Sequence, residues 1–428
     1  MNKAMTILAA ALAALPISGA AQSLPSSVDL RSDLPPVGDQ QYTRTPGWQM
    51  CQYWASAYYT LTAYIHHFRH PEWDLSIPQY QFSPGFVPYN YMPGTATNRY
   101  YALELRGCTD MAEWPYTNIF GLAYPTMAQR QAALPYRVTG IDVLWDYGAA
   151  IPIYSTSQEL MNRAKGYLAN GYVLDAGLSG DDWLFPDLHG YPAMDFYDPD
   201  YPPGAHLTGL GHQVALCGYD DNINPSATDP DHRGGFLMVN EWGANWNGNM
   251  HGFLWLSYAY VKAYVGDCTA ITNVVSDIPV ITSCDLTQAR VGDALTISGN
   301  SFGAQRRAAK VTINGLEATN SVFINDLIVT TIPAGATSGP VIVYNWEGTP
   351  SNPIQLTIIT TVTLAAGKQG GDIVLRANGT AGKSLLFSTS TNLVNWAPWV
   401  QLPNPSGTVQ VTDPAPAAAW KFYRVEQQ

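Results

Sequence analysis

Apolar residues along this chain change period, and the change separates a mixed first region from an all-strand remainder. Between residues 54 and 68, Trp54, Ala57, Tyr58, Leu61, Ile65 and Phe68 recur at three- and four-residue spacing. That period lines one face of a helix, and Pro71 stops it. SQELMNRAKGYLA, residues 157–169, predicts a second helix, with Ser157 as N-cap and Glu159 in the first turn, where the helix dipole favours negative charge. After Gly204 the pattern turns to β-branched and aromatic runs broken by Gly, Asn and Asp: HQVALCGYD, GFLMVNEWG and GFLWLSYAYV. These predict strands.

From Ile278 to Ile359 the chain is almost all short alternating strands (ALTISG, KVTING, LIVTTIP, GPVIVYN), with turn residues between them. The spacing is that of a β-sandwich. The wording of this segment, from VGDALTISGNSFG through KVTINGLEA to IPAGATSGPVIVYN, resembles an IPT/TIG immunoglobulin-like domain. Residues 360–428 are strand-like again, as in LLFSTSTNLVNWAPWVQL and WKFYRV, and predict a small β module. Neither C-terminal region gathers His, Cys or paired carboxylates, so the chemistry is expected in the first region.

The amino terminus, MNKAMTILAAALAALPISGAAQS, has Lys3, an apolar run from Met5 to Ile17 and then small residues. The run is too short to span a bilayer, and the segment reads as a secretory signal peptide over residues 1–23. The expected domains are therefore 24–276, 278–359 and 360–428, and the expected location is secreted, periplasmic or at the cell surface. With 46% hydrophobic residues there is material for real cores. A formal net charge of −12 argues against nucleic acid and anionic membrane surfaces as partners, and no membrane insertion is expected. The five cysteines, Cys51, Cys108, Cys217, Cys268 and Cys284, leave at least one thiol unpaired within the chain. Cys217, inside an apolar strand, reads as an inert core thiol.

Acyl transfer by a thiol needs a thiolate, an imidazole oriented by a third group, and a donor for the developing oxyanion. The first region offers each part. Strand alternation puts His212 on one face with Val214 and Leu216, and Asn240 on one face with Met238 and Phe236. If those strands pair, Asn240 can hold one ring nitrogen and leave the other for a thiol, with Trp242 shielding the bond. Cys51 stands near the predicted start of the first helix, where the dipole lowers a thiol pKa. Asp220, Asp221 and Asn222, with Asp231 further on, have some calcium-loop spacing, but they lack the tight-turn glycine and the terminal Glu. A solvated turn is the simpler reading.

Residues 26–275 resemble the papain-like cysteine peptidases. The segments that carry the resemblance are LPSSVDLRSDLPPVGDQ, FSPGFVPYN, LRGCTDMAEWPY, GHQVALCGYDDN and NEWGANWNGNMHGFLWLSYAYV, in that order. The resemblance implies an α+β fold of two lobes, one helical and one a β-barrel, with the site in the cleft between them. It carries the family histidine onto His212, the asparagine onto Asn240 and the oxyanion-hole glutamine onto Gln40. The expected activity is hydrolysis of peptide or protein substrates, with no cofactor and no metal. Three departures stand out. The family reads cysteine directly before tryptophan, whereas here Tyr53 precedes Trp54 and Cys51 lies two residues earlier. Glu241 stands where a serine usually follows the asparagine, and there is no room for the usual pro-segment. Two registers thus remain open. With Cys51 as nucleophile the domain is a peptidase. With Tyr53 in that place it is an inactive module that binds peptides or a partner, and Cys51 is a structural thiol or a disulfide partner, for instance of Cys108. A third reading is a carbohydrate- or surface-binding scaffold led by the β domains, which also offer a place for a cell-surface partner. It predicts an exposed aromatic platform in the C-terminal regions.

Overall fold

The fold is known from a computed structural model. It describes residues 23–40, 50–88, 96–117, 124–147, 155–178, 196–197, 211–224, 233–359, 362–414 and 420–428. The signal segment up to residue 22, the loop 41–49 and Asp231 lie outside the described residues. The described chain is β-rich, with few helices, and it divides by internal contacts into two units. Unit 1 holds residues up to 105, 110–123 and 138–274, and unit 2 holds 106–109, 124–137 and 275–428.

Unit 1 is built on an eight-stranded sheet. Its strands are β1 (Ser27–Asp29), β2 (Val138–Asp146), β3 (Leu174–Leu178), β4 (Phe196–Tyr197), β5 (His212–Asp220), β6 (Gly235–Val239), β7 (Phe253–Ser257) and β8 (Val265–Val274). They run in the order β2-β8-β3-β5-β6-β7-β4, with β1 also on β5. Neighbours are antiparallel except β4 and β7. The central strands β3 and β6 are buried along their whole length, and β5 is buried up to its last residue, which explains their near-continuous apolar runs.

One long helix packs on this sheet. It is α-helical over Cys51–Tyr53, π-helical over Trp54–Leu61 and α-helical again over Thr62–Phe68. The expected single stripe is corrected here. Every residue from Trp54 to Leu61 is buried, whereas Phe68 is exposed. A π-turn is wider than 3.6 residues, so stripe arithmetic drifts, and this helix is covered all round. The sheet lies on one side. Elsewhere the Trp54 indole sits against Gly38, where an added Cβ would fall 2.1 Å from a ring carbon, and against Tyr116 with ring centroids 4.8 Å apart. The second predicted helix forms at Gln158–Ala169, and the Ser157 side chain caps it by accepting from the Leu160 N–H.

Unit 2 carries a second eight-stranded sheet between Val280 and Ile358, built around Leu295, Ile297, Val311, Ile313, Ile328 and Val341. A helix from earlier in the chain belongs with it. Met127–Ala133 starts with a capping box of Thr126 and Gln129. The Trp346 Nε1–H then donates to the Tyr136 hydroxyl at 2.8 Å, and the Asn325 N–H to Gln131 Oε1 at 2.9 Å. Residues 363–427 form two three-stranded sheets over a small core of Leu375, Ala377, Leu385 and Phe387. No helix among the described residues is long and apolar enough to cross a membrane.

Candidate active site

The β5–β6 pairing sets the site. Ala215 faces Val239 and Leu216 faces Met238 in antiparallel register, so Asn240, one residue past β6, falls opposite Val214. His212 is then its diagonal neighbour on the same face, within reach of a side-chain bond. His212 Nε2 lies 2.9 Å from Asn240 Oδ1. That oxygen also accepts the Glu241 N–H at 2.9 Å, which fixes it as the acceptor. His212 therefore carries its proton on Nε2 and keeps a lone pair on Nδ1, the form a general base needs. The Trp242 ring lies beside the imidazole, with centroids 5.3 Å apart and planes tilted by 45°.

The first turn of the long helix packs on β5 and brings Cys51 to this pair. One ligating atom each of Cys51, His212 and Glu241 lie within 4.8 Å of one another. The backbone N–H groups of Gln213 and Gln52 act to lower the Cys51 thiol, against the effect of burial. Tyr53 is buried too, but its hydroxyl makes no hydrogen bond to a described residue, and the imidazole is held by Asn240. Of the two registers, the geometry places Cys51 beside the histidine. The suggested bridge from Cys51 to Cys108 is corrected: none of the five cysteines is in a disulfide.

Burial dominates the electrostatics. It pushes the Cys51 thiol up to about 12, and the neighbouring Glu241 adds to the rise. It pulls the His212 imidazole down to about 4, against the pull of its bond to Asn240. It also holds the Glu241 carboxyl well above the usual range. At neutral pH the pair at rest is thus thiol and imidazole. Glu241 is fully buried, and neither carboxylate oxygen has a hydrogen-bond partner, although Oε1 sits 3.3 Å from His212 Nε2. That contact lacks the geometry of a hydrogen bond and counts here as proximity only.

Gln40 reaches the site through its backbone. Its N–H donates to the Glu241 carbonyl at 2.7 Å, and its own carbonyl accepts from the Tyr116 hydroxyl at 2.9 Å. Its side-chain amide is uncommitted, with no hydrogen bond to a described residue.

Two features had no signal in the sequence reading. The first is Tyr59, from the π segment. Its hydroxyl donates to the Asn240 carbonyl and accepts the Gly38 N–H, both at 2.9 Å. It ties the loop of Gln40 and the loop of Asn240 to the helix that carries Cys51. Tyr59→Phe leaves two buried backbone groups unpaired and should cost roughly 2–4 kcal/mol, read from denaturant midpoints. A loss under about 0.5 kcal/mol, the scatter of neutral surface changes, would remove Tyr59 from this role.

The second feature is a buried charge cluster. Arg99 donates from Nε to Asp175 at 2.7 Å and from Nη2 to Asp267 at 3.1 Å. Gln213 Nε2 reaches the same two carboxylates at 2.8 and 2.9 Å, and the Tyr100 hydroxyl donates to Asp175 at 2.7 Å. Gln213 follows His212 in β5, so this cluster ties the site end of β5 to Asp175 in β3 and Asp267 in β8. Nothing local in the sequence singled out Arg99 or named its partners.

The remaining candidates fall away. Asp221 pairs with Lys165 at 2.6 Å and accepts from the Tyr258 hydroxyl, and Asp220 accepts the Asn222 N–H, which makes this a structural turn. In the C-terminal module Trp420 is 75% exposed. Trp396 and Trp399 are half-buried, under Arg424 and Lys421 respectively. The described residues there present a single open indole and no aromatic platform.

Comparison with known proteins identifies one segment. Residues 279–358 match the IPT/TIG domain, as their wording suggested. No curated protein matches the chain. Solved structures with some similarity include an auxiliary nutrient binding protein from Bacteroides thetaiotaomicron, at 18% identity over 22% of this chain and 24% of that one, TM-score 0.19. The gamma-CGTase of Alkalophilic bacillus clarkii aligns at 14% identity over 50% of this chain and 36% of its own, TM-score 0.19. The human OSCAR ligand-binding domain aligns at 15% identity over 34% of this chain and 88% of its own, TM-score 0.14. The chain spans about a quarter of the first of these, and overlaps this loose carry no argument about fold or site.

Proposed function

We propose that unit 1 is a cysteine-type peptidase of the papain-like kind, exported from the cell and acting on peptide or protein substrates. The observation that carries this reading is the His212–Asn240 hydrogen bond with the Cys51 sulfur gathered against it. In this reading a substrate carbonyl settles over Cys51, and His212 Nδ1 takes the thiol proton as sulfur bonds to carbon. The Gln40 amide and a backbone N–H of the first helical turn receive the oxyanion. His212 then hands the proton to the leaving amine as the C–N bond breaks. Water, activated by the same nitrogen, cleaves the thioester and restores the thiol. Asn240 keeps the imidazole in the required tautomer throughout. The two-lobed arrangement with a cleft belongs to this proposal as well.

The raised thiol and depressed imidazole favour a second reading, a non-catalytic module that binds peptides. The two separate in one measurement. A peptide probe with a thiol-directed warhead should label Cys51 alone among the five cysteines, and His212→Ala should slow that labelling at least about 100-fold. Alkylation of Cys51 by a small reagent should climb about tenfold per pH unit from pH 6 to 9, because the thiolate fraction grows below a pKa near 12. Labelling of another cysteine, or a rate indifferent to His212→Ala, sinks the peptidase. A rate plateau below pH 7 sinks the neutral resting pair.

A further inference from the structure

Glu241 presents a problem that the peptidase reading does not solve. It is a carboxyl group with no exposed surface, neither oxygen has a hydrogen bond to a described residue, and it points into the cluster of Cys51 and His212. Leaving such a group unpaired costs several kcal/mol. The Arg99 charge acts on the cluster, but its guanidinium is held by Asp175 and Asp267. The His212 ring gives its Nε2–H to Asn240.

We propose that Cys51, His212 and Glu241 form a binding site for a divalent transition-metal ion, Zn²⁺ above all, with an open fourth position. A tetrahedral zinc ion keeps its ligand atoms roughly 3.3–3.7 Å apart. His212 Nε2 and Glu241 Oε1 are already 3.3 Å apart, and all three ligating atoms lie within 4.8 Å of one another. Small side-chain shifts close the remaining gap, with His212 Nε2 as the ligand, its proton passing to Nδ1 and its bond to Asn240 given up on binding. Thiolate, imidazole and carboxylate together select zinc or cobalt over magnesium or calcium, which take oxygen. Binding displaces the thiol proton to solvent, and a proton from Glu241 where it carries one, so affinity rises with pH. The ion supplies the positive charge that two buried acidic groups lack. It also occupies both the sulfur and the imidazole, so bound metal and peptide cleavage exclude each other. The site needs only these three side chains and stands whether or not unit 1 cleaves peptides.

Co²⁺ titrated into the full-length, thiol-reduced protein tests this directly. The expected result is a one-to-one complex with visible d–d bands of tetrahedral intensity and a near-ultraviolet thiolate-to-cobalt band. Cys51→Ser should remove the thiolate band, and Glu241→Gln should weaken binding at least about tenfold. Wild-type protein gives a second readout that does not depend on the variants folding. Zn²⁺ should protect Cys51 from alkylation, as read by peptide mass mapping, and a chelator should restore labelling. No spectral change with Co²⁺, a thiolate band that survives Cys51→Ser, or Cys51 alkylated at an unchanged rate with excess Zn²⁺ would each overturn the site. Selective probe labelling of Cys51 without metal binding leaves the peptidase standing and removes only the metal.

Discussion

Cys51→Ala should reduce peptide hydrolysis by at least about 10³-fold, with folding almost untouched. Nucleophile, base and orienting group act as one unit, so removing the sulfur removes the covalent path entirely. What survives comes from the oxyanion donors and substrate binding alone. The double variant Cys51→Ala/His212→Ala should be little worse than either single change, because the same step is already lost. The side chain is small and half-buried at the helix start, so the cavity left behind should cost only about 1 kcal/mol. Hydrolysis of a fluorogenic peptide mixture, measured beside a thermal melt, checks both halves. Activity within tenfold of wild type, in a variant that melts normally, means that Cys51 is not the nucleophile.

Arg99→Met should be the most damaging single change to stability in unit 1. The guanidinium is 1% exposed and Asp175 is fully buried, with Asp267 at 17%. Methionine fills similar space but abandons both carboxylates, and breaking a buried pair from one side costs about 3–5 kcal/mol. For a domain of this size that corresponds to a melting shift of roughly 6–20 °C. The pH dependence has a definite sign. Burial already raises the Asp175 carboxyl, against the pull of Arg99. Without Arg99 its folded-state pKa moves further above the unfolded value. The folded variant then binds more protons than the unfolded chain, so its stability rises as pH falls from neutral toward the ordinary aspartate range near ~3.9. Melting temperatures of variant and wild type should therefore converge on acidification. A loss under about 1 kcal/mol, or a gap that widens in acid, would show that the cluster does not hold β5 in this way. Thiol reactivity gives a further readout. The Arg99 charge helps to lower the Cys51 thiol, so Cys51 alkylation at fixed pH should slow in the variant.

Much of the local structure could be read directly. The helix of 158–169 and its Ser157 cap, the strands around His212 and Asn240, and the IPT/TIG segment all follow from patterns a few residues long. Tyr59 could not be read this way. A tyrosine in an apolar stripe looks like core, and only the π geometry and the approach of Gly38 and Asn240 turn its hydroxyl into a tie between loops. Residues 124–137 illustrate the same limit from another side. Their capping box of Thr126 and Gln129 is a local feature, yet their packing partner, Trp346, is 210 residues away from Tyr136, and no periodicity spans that distance.

By itself the sequence determined which residues were available for chemistry, namely a thiol near a helix start, His212 and Asn240 on facing strands, and an unusual Glu241. Period, capping and strand alternation are local properties, and they place side chains on faces. The tertiary structure alone brought the Cys51 sulfur within 4.8 Å of an imidazole nitrogen of His212. It decided as well that Arg99 is spent on two aspartates and that Glu241 is sealed in without a partner. Those outcomes depend on burial and on which distant groups share a low-dielectric space, which is set only when helix and sheet close on each other.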